Sequence, residues 1–213
     1  MDASPHCLTC GAPLPLPHRF VRMVTCEFCG QVMLLDDGRL SLTETIAEQT
    51  PFPSVLVLGA TGTVADRPFE ALGRLVYAYD GGVWHEWLLQ FADAAPGTND
   101  LGWLVEDEGT FTLLQKAPLP GTPPRFDDVH AGTTLRLANR SVFVTEVGTA
   151  TVSHSEGQAA FAVPPGTPVQ YVDGTSGGQQ VGLEYDPTEV EWFVGDRVDP
   201  PVLDDAWMSE GWA

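Results

Sequence analysis

Beyond residue 54, apolar and polar residues alternate along most of the chain, the period-two pattern of strands whose two faces meet different surroundings. "RLVYAYD" runs into "YDGGVWHEWLLQFAD", where Gly81-Gly82 gives a hairpin signal between aromatic and aliphatic flanks. "LGWLVEDEGTFTLLQ" predicts two short strands around Glu108-Gly109. In "TTLRLANRSVFVTEVGTATVSHSEG" the alternation pairs Leu135 with Leu137 and Val142 with Val144. "TPVQYVDGTSGG", "QQVGLEYDP" and "TEVEWFVGDRV" repeat strand, turn, strand, with Asp173-Gly174 and Asp186-Pro187 as punctuation. Only "SLTETIAEQ", Ser41 to Gln49, reads as a short helix. The fold class is mainly β.

"VLVLGATGTVADRP", residues 55 to 68, imitates the opening of a dinucleotide-binding fold, with Gly59, Gly62 and Ala65 at three-residue spacing and Asp80 where a ribose-binding acid would stand. That motif must open a helix, yet Arg67-Pro68 falls where the helix would run, and an interior proline costs ~3 kcal/mol. Asp66 would also add negative charge beside a pyrophosphate, and no further strand–helix units follow. The glycines are read as a turn between two strands.

The N-terminal region changes the picture. All four cysteines lie in "CLTCG" (Cys7, Cys10) and "CEFCG" (Cys26, Cys29), two CxxC pairs at the spacing of a four-thiolate zinc ribbon. A two-residue gap lets one turn aim two sulfurs at one ion, and Gly11 and Gly30 relieve the backbone where positive φ is needed. Four protein ligands leave no open position, so a structural Zn2+ is expected. His6 and His18 are nearby substitutes that fit less well. "QVMLLDDGRLSL" continues as strand, Asp37-Gly38 turn and strand.

The 10 Lys and Arg against 29 Asp and Glu give a formal charge of −19, carried almost wholly beyond residue 40. Such a body repels phosphate backbones and anionic lipid, arguing against nucleic acid and against direct membrane insertion. Basic protein surfaces are the easier partners, with a polyamine as a weaker candidate. No basic-then-apolar leader opens "MDASPHCLTC", so a cytoplasmic location is expected.

The body reads as a duplication. "FEALGRLVYAY" aligns with "VTEVGTATVSH", setting Leu72-Gly73 against Val147-Gly148, and "LGWLVEDEGTF" with "VGLEYDPTEVEW", setting Gly102 against Gly182. The domain boundaries are therefore a zinc ribbon at 1–40, a linker with a short helix at 41–53 and a first β unit at 54–117. A proline-rich linker at 118–126, a second β unit at 127–200 and an acidic, aromatic tail at 201–213 complete the chain. Each β unit is expected to be a small antiparallel barrel or sandwich.

Together "CGAPL", "CEFCG", "VLVLGATG", "ALGRLVYAYDGGVWHEWLLQF", "GWLVEDEGTFTL", "VFVTEVGTATV", "YVDG" and "LEYD" give the chain a resemblance to a bacterial family, domain-of-unknown-function family 4178. The resemblance implies a zinc ribbon before a duplicated β domain. It also implies gene neighbours that encode phage-shock-protein-A-like, polyamine-synthesis and small membrane proteins. It carries over no enzymatic residues, and the second half lacks a "WHEW" counterpart.

Candidate chemistry concentrates in "VWHEW". In a strand, Trp84 and Glu86 share one face and His85 and Trp87 the other, so His85 and Glu86 do not form one acid–base pair. His130 and His154 read as solvated, and Glu106 to Glu108 as a solvated turn rather than a cation site. Neither a nucleophile elbow nor a phosphate loop occurs. Trp207, Met208 and Trp212 give the tail anchors that dock either on its own β surface or on another chain. The expected function is a non-enzymatic cytoplasmic adaptor stabilised by zinc, in a membrane-stress or polyamine-linked system. The alternative is a small-ligand binder or enzyme with its site around Trp84, His85, Glu86 and Trp87.

Overall fold

The computed structural model describes residues 5–14, 16, 20–47, 52–93, 100–137, 139–185 and 189–204. Strands β1 (Met23–Thr25), β2 (Gln31–Asp36) and β3 (Arg39–Ile46) form the N-terminal ribbon. β4 (Thr61–Val64) then leads into a first four-strand meander, β5 (Arg67–Tyr79), β6 (Gly82–Phe91), β7 (Leu101–Asp107) and β8 (Thr110–Ala117). After a 3-10 turn at Phe126–Asp128 come β9 (Thr134–Leu137), β10 (Arg140–Ala159), β11 (Pro168–Ser176), β12 (Gln179–Tyr185), β13 (Val190–Val198) and β14 (Val202–Leu203). Antiparallel pairing joins all of these into one sheet rather than two separate units.

The pairing path closes on itself. From β5 it runs through β6, β7 and β8 to β13, β12, β11 and β10, and β10 pairs β5 again. First strand therefore meets first strand, Gly157 opposite Gly73, and last meets last, Gly195 opposite Leu114. Both junctions use glycine at a close approach: a Cβ on Gly73 would collide with the Gln158 backbone, and one on Gly195 with that of Leu113. The 20-residue β10 is the seam, pairing with β9, β11, β5 and β1 and shifting register at Val144/Glu146 and Val152/His154.

Three apolar layers follow from the alternation. Leu75, Tyr77, Leu88, Trp103, Phe161 and Phe193 pack inside the circuit. Outside the first half, Phe69, Trp87, Leu89, Phe91 and Leu104 are covered by Leu56, Ala60 and Val64. Outside the second half, Val142, Val144, Leu183 and Trp192 meet Val129 and Leu137. Strands apolar on both faces explain near-continuous runs such as "WLLQF".

Turn chemistry matches the sequence at some corners only: Asp173-Gly174 lies inside β11, whose hairpin to β12 is made by Gly177 and Gly178, and the β5–β6 turn is Asp80-Gly81 rather than Gly81-Gly82. Asp37-Gly38 and Glu108-Gly109 have both central residues at positive φ, the geometry that suits a two-residue hairpin. Gly59 sits in a turn with φ +77°, but the apolar run Val55 to Leu58 before it is irregular rather than a strand. Gly62, however, lies inside β4 and hugs Val202 of β14, while the hairpin between β4 and β5 is made by Ala65 and Asp66 at φ 49° and 59°. Pro68 is therefore a strand residue opposite Thr63.

Two further expectations are corrected. Ser41–Ile46 is not helical but belongs to β3, because the Asp37-Gly38 hairpin presents it to β2 and its Thr43, Thr45 and Ile46 are β-branched. Gln31 fixes that register by donating from Nε2 to the carbonyls of Thr43 and Thr45. Residues 118–126, read as a proline-rich linker, touch the second half of the chain. Tyr185 donates its hydroxyl to the Pro124 carbonyl at 3.1 Å, and Phe126 meets the Tyr185 ring at 5.5 Å. Second, His154 is 6% exposed, not solvated. Among the described residues no helix is long and apolar enough to cross a membrane. Within the tail, Val202–Leu203 pairs with β4 and Asp204 accepts from Thr61 Oγ1 at 2.6 Å. Trp207, Met208 and Trp212 lie outside the described residues.

Candidate functional site

The ribbon's turns bring the four sulfurs of Cys7, Cys10, Cys26 and Cys29 within 4.8 Å of one another, suited to chelating a metal ion. Cys7 to Cys29 and Cys10 to Cys26 are each 3.7 Å, Sγ to Sγ. Sulfurs ~2.3 Å from a central ion at tetrahedral angles would stand ~3.8 Å apart, so the set fits that geometry. Gly11 and Gly30 adopt φ +75° and +72°, and their N–H groups donate to the carbonyls of Cys7 and Cys26. A Cβ at Gly30 would come within 2.5 Å of the Ala47 carbonyl oxygen. His6 is exposed and bridges to Pro13; His18 lies outside the described residues. The knuckles pack on Leu14, Val24 and Met33, and β1 couples them to the sheet through Met23 opposite Ala159.

Inside the circuit is a cavity of about 230 Å³ lined by both halves of the chain. Tyr77, Tyr79, Trp84 and Glu86 come from the first half, and Glu146, Tyr171, Asp173, Glu184, Phe193 and Arg197 from the second. Tyr77, Glu86 and Phe193 are buried, whereas Glu146, Asp173 and Arg197 stand exposed at the rim. Trp84 organises the wall. Tyr77 stacks on it at 4.8 Å, Tyr171 approaches edge-on at 5.1 Å, and Tyr79 lies at 5.5 Å. Trp84 Nε1 donates to Glu86 Oε1 at 3.0 Å, and Tyr171 donates to Glu146 Oε1 at 2.6 Å.

Glu86 is 8% exposed. Burial pushes its carboxyl up to about 7, against hydrogen bonds from Trp84 and Tyr77 that favour the charged form. Burial likewise raises Glu184, and the negative charges of Glu86 and Glu191 raise it further. Glu191, with Lys116 as its ion-pair partner, is still lifted by burial to about 7. Asp107, read as part of a solvated turn, instead lines the cavity, and its Oδ1 is enclosed without a hydrogen-bond partner. Only Glu108 of that trio is in the turn.

The alternation in "WHEW" holds: His85 and Trp87 occupy the opposite face from Trp84 and Glu86. There Trp87 Nε1 donates to Ser54 Oγ at 3.1 Å, Ser54 donates to Glu106, and His85 Nδ1 stands 3.8 Å from Glu106 Oε2. Ser54 thus points its proton at a carboxylate and not at His85, so the trio lacks the base-to-nucleophile bond of a hydrolase. Burial, and next Arg74, lower His85 below the ordinary imidazole range. Arg74 pairs with Glu156 at 2.8 Å, donates to the Phe52 carbonyl and lies over Trp87. Phe52 packs against His154 at 5.6 Å. The four residues of the sequence-based site are therefore split, two inside the circuit and two beneath the Phe52–Ala60 segment. His130 is exposed.

The geometry defines a mainly β protein with a four-cysteine cluster suited to chelating a metal ion at one flank and a carboxylate- and aromatic-lined cavity within its sheet. Residues 57–200 match the model of the family described as Domain of unknown function (DUF4178), and the chain belongs to that family. The match begins after the cysteine cluster and takes in every strand of the closed path. No curated protein matches the chain, and neither does any solved structure.

Proposed function

We propose that the chain is a cytoplasmic, non-enzymatic small-ligand-binding module: a barrel formed by two copies of a four-strand meander, buttressed by a ribbon that structural zinc holds together. The observation that carries this reading is the cavity at Trp84 and Glu86, to which both halves contribute. Duplication is supported by position. Gly73 and Gly148 fall on the first strand of each meander, Gly102 and Gly182 on the third. The four sulfurs fill a tetrahedron by themselves, which supports a structural role for the ion and leaves no place for substrate on it. Thermal-shift screening against small molecules of varied charge tests the reading. A ligand should raise the melting temperature of the wild type and not of Trp84→Ala; a library in which every hit acts equally on both proteins would refute it.

A second reading, an adaptor that docks proteins, is favoured by one specific observation. Leu8 and Phe28 at the knuckle tips, with Leu42 and Ile46 on β3, are exposed apolar side chains, Phe28 at 73%. The acidic body makes a basic protein face the easier partner. Phe28→Asp should then abolish co-purification of a partner; a partner retained at wild-type yield rules that surface out.

A further inference from the structure

The lining of the cavity narrows the chemistry of what enters it. Charge comes first. Glu86, Asp107, Glu146, Asp173 and Glu184 line the space against one cation, Arg197, which is exposed at the rim. Lys116 acts on Glu184 from outside the cavity lining and is already held by Glu191. Pairing comes second. The buried Glu86 receives hydrogen bonds from the neutral groups of Trp84 and Tyr77, with no cation among its hydrogen-bonding partners, and Asp107 Oδ1 is enclosed with no donor at all. An unpaired carboxylate out of water is costly, so this lining favours a positive partner. The third feature chooses among cations. Five aromatic rings, Tyr77, Tyr79, Trp84, Tyr171 and Phe193, line the same space. A hard metal ion needs an oxygen shell and gains nothing from those rings. An alkylammonium gains from both, its charge attracted by ring faces as well as by carboxylates and its carbons shielded by the rings.

We propose that the cavity binds an organic ammonium ion, an aliphatic amine or quaternary ammonium, with its charge set against Glu86 and Asp107 and its alkyl part against the tyrosines and Trp84. This rests on the reading of the cavity as a ligand site. At the ~30 Å³ occupied by one water molecule, the space of about 230 Å³ suits a small amine rather than a folded peptide.

The test is isothermal titration of the zinc-loaded full chain with 1,4-diaminobutane, choline, 3,3-dimethyl-1-butanol (the uncharged isostere of choline), butyrate and magnesium chloride. The expected result is 1:1 binding of at least one ammonium, with the neutral isostere at least tenfold weaker. Glu86→Gln, which keeps an acceptor for Trp84, should lose at least tenfold in affinity, as should Asp107→Asn, while Glu44→Gln on β3 should lose nothing. Because the ammonium needs ionised carboxylates, affinity should also rise about tenfold from pH 6 to pH 8, with a proton released on binding. Equal or tighter binding of the isostere or of butyrate overturns the ammonium assignment and leaves the cavity reading standing. Binding of magnesium without any ammonium overturns it in favour of a metal ion. Absence of heat with all five probes, together with failure of the thermal-shift screen, removes both.

Discussion

Glu86 is where one side chain carries most consequence. Its folded value of about 7 lies above the ordinary 4.5, so between those values the folded state holds a proton that the unfolded chain has released. Stability contributed through Glu86 is therefore lost as pH rises through that window. His85, lowered by burial, acts in the opposite sense below 6.5, so comparing wild type with a variant isolates the carboxylate. Glu86→Gln should leave the melting temperature unchanged at pH 4.5 and stabilise by about 1–3 kcal/mol at pH 8; thermal denaturation across that range reads it. The side of β6 that Glu86 occupies was legible in the sequence, because strand alternation needs only nearest neighbours. The fate of His154 was not. It is buried because β10 crosses β5 and because Phe52, far away in sequence, lies over it, and neither contact leaves a local trace.

At the scale of elements, some turns were legible, others such as Asp173-Gly174 were not, and partner choice was the least legible. Asp37-Gly38 announced itself, whereas the β4–β5 hairpin is built from Ala65 and Asp66, which carry no turn signature yet both sit at positive φ. Replacing the pair with Asn-Gly should stabilise the fold by about 0.5–1 kcal/mol, measured as a shift in the denaturant midpoint at constant slope. The strand of Ser41–Ile46 imitated a helix because its residues are polar enough for either, and only pairing with β2 decides. The ribbon has its own small core of Leu14, Val24 and Met33 beneath the cysteines, and under the proposed function a structural ion held by the four sulfurs adds to that small core. Chelation should accordingly release hydrogen-exchange protection in β1 to β3 while β6, β7, β12 and β13 keep theirs; uniform loss across all strands would show that the ribbon and the closed path unfold as one.

For the whole molecule, the succession of strands was visible in the sequence but the way they join into one sheet was not. Closure depends on β5 meeting β10 and β8 meeting β13, long-range pairings that no window of sequence reports. That closure is what gathers Trp84, Glu86, Tyr171 and Glu184 from both halves around one cavity, and the central claim is that this interior is a binding chamber. The indole N–H region of the NMR spectrum tests it most directly, since Trp84 bonds Glu86 inside the circuit and Trp87 bonds Ser54 outside it. On titration with 1,4-diaminobutane or choline, the Trp84 indole signal should move and that of Trp87 should stay. A shift at Trp87 with Trp84 unmoved, or no shift at either, would contradict the account.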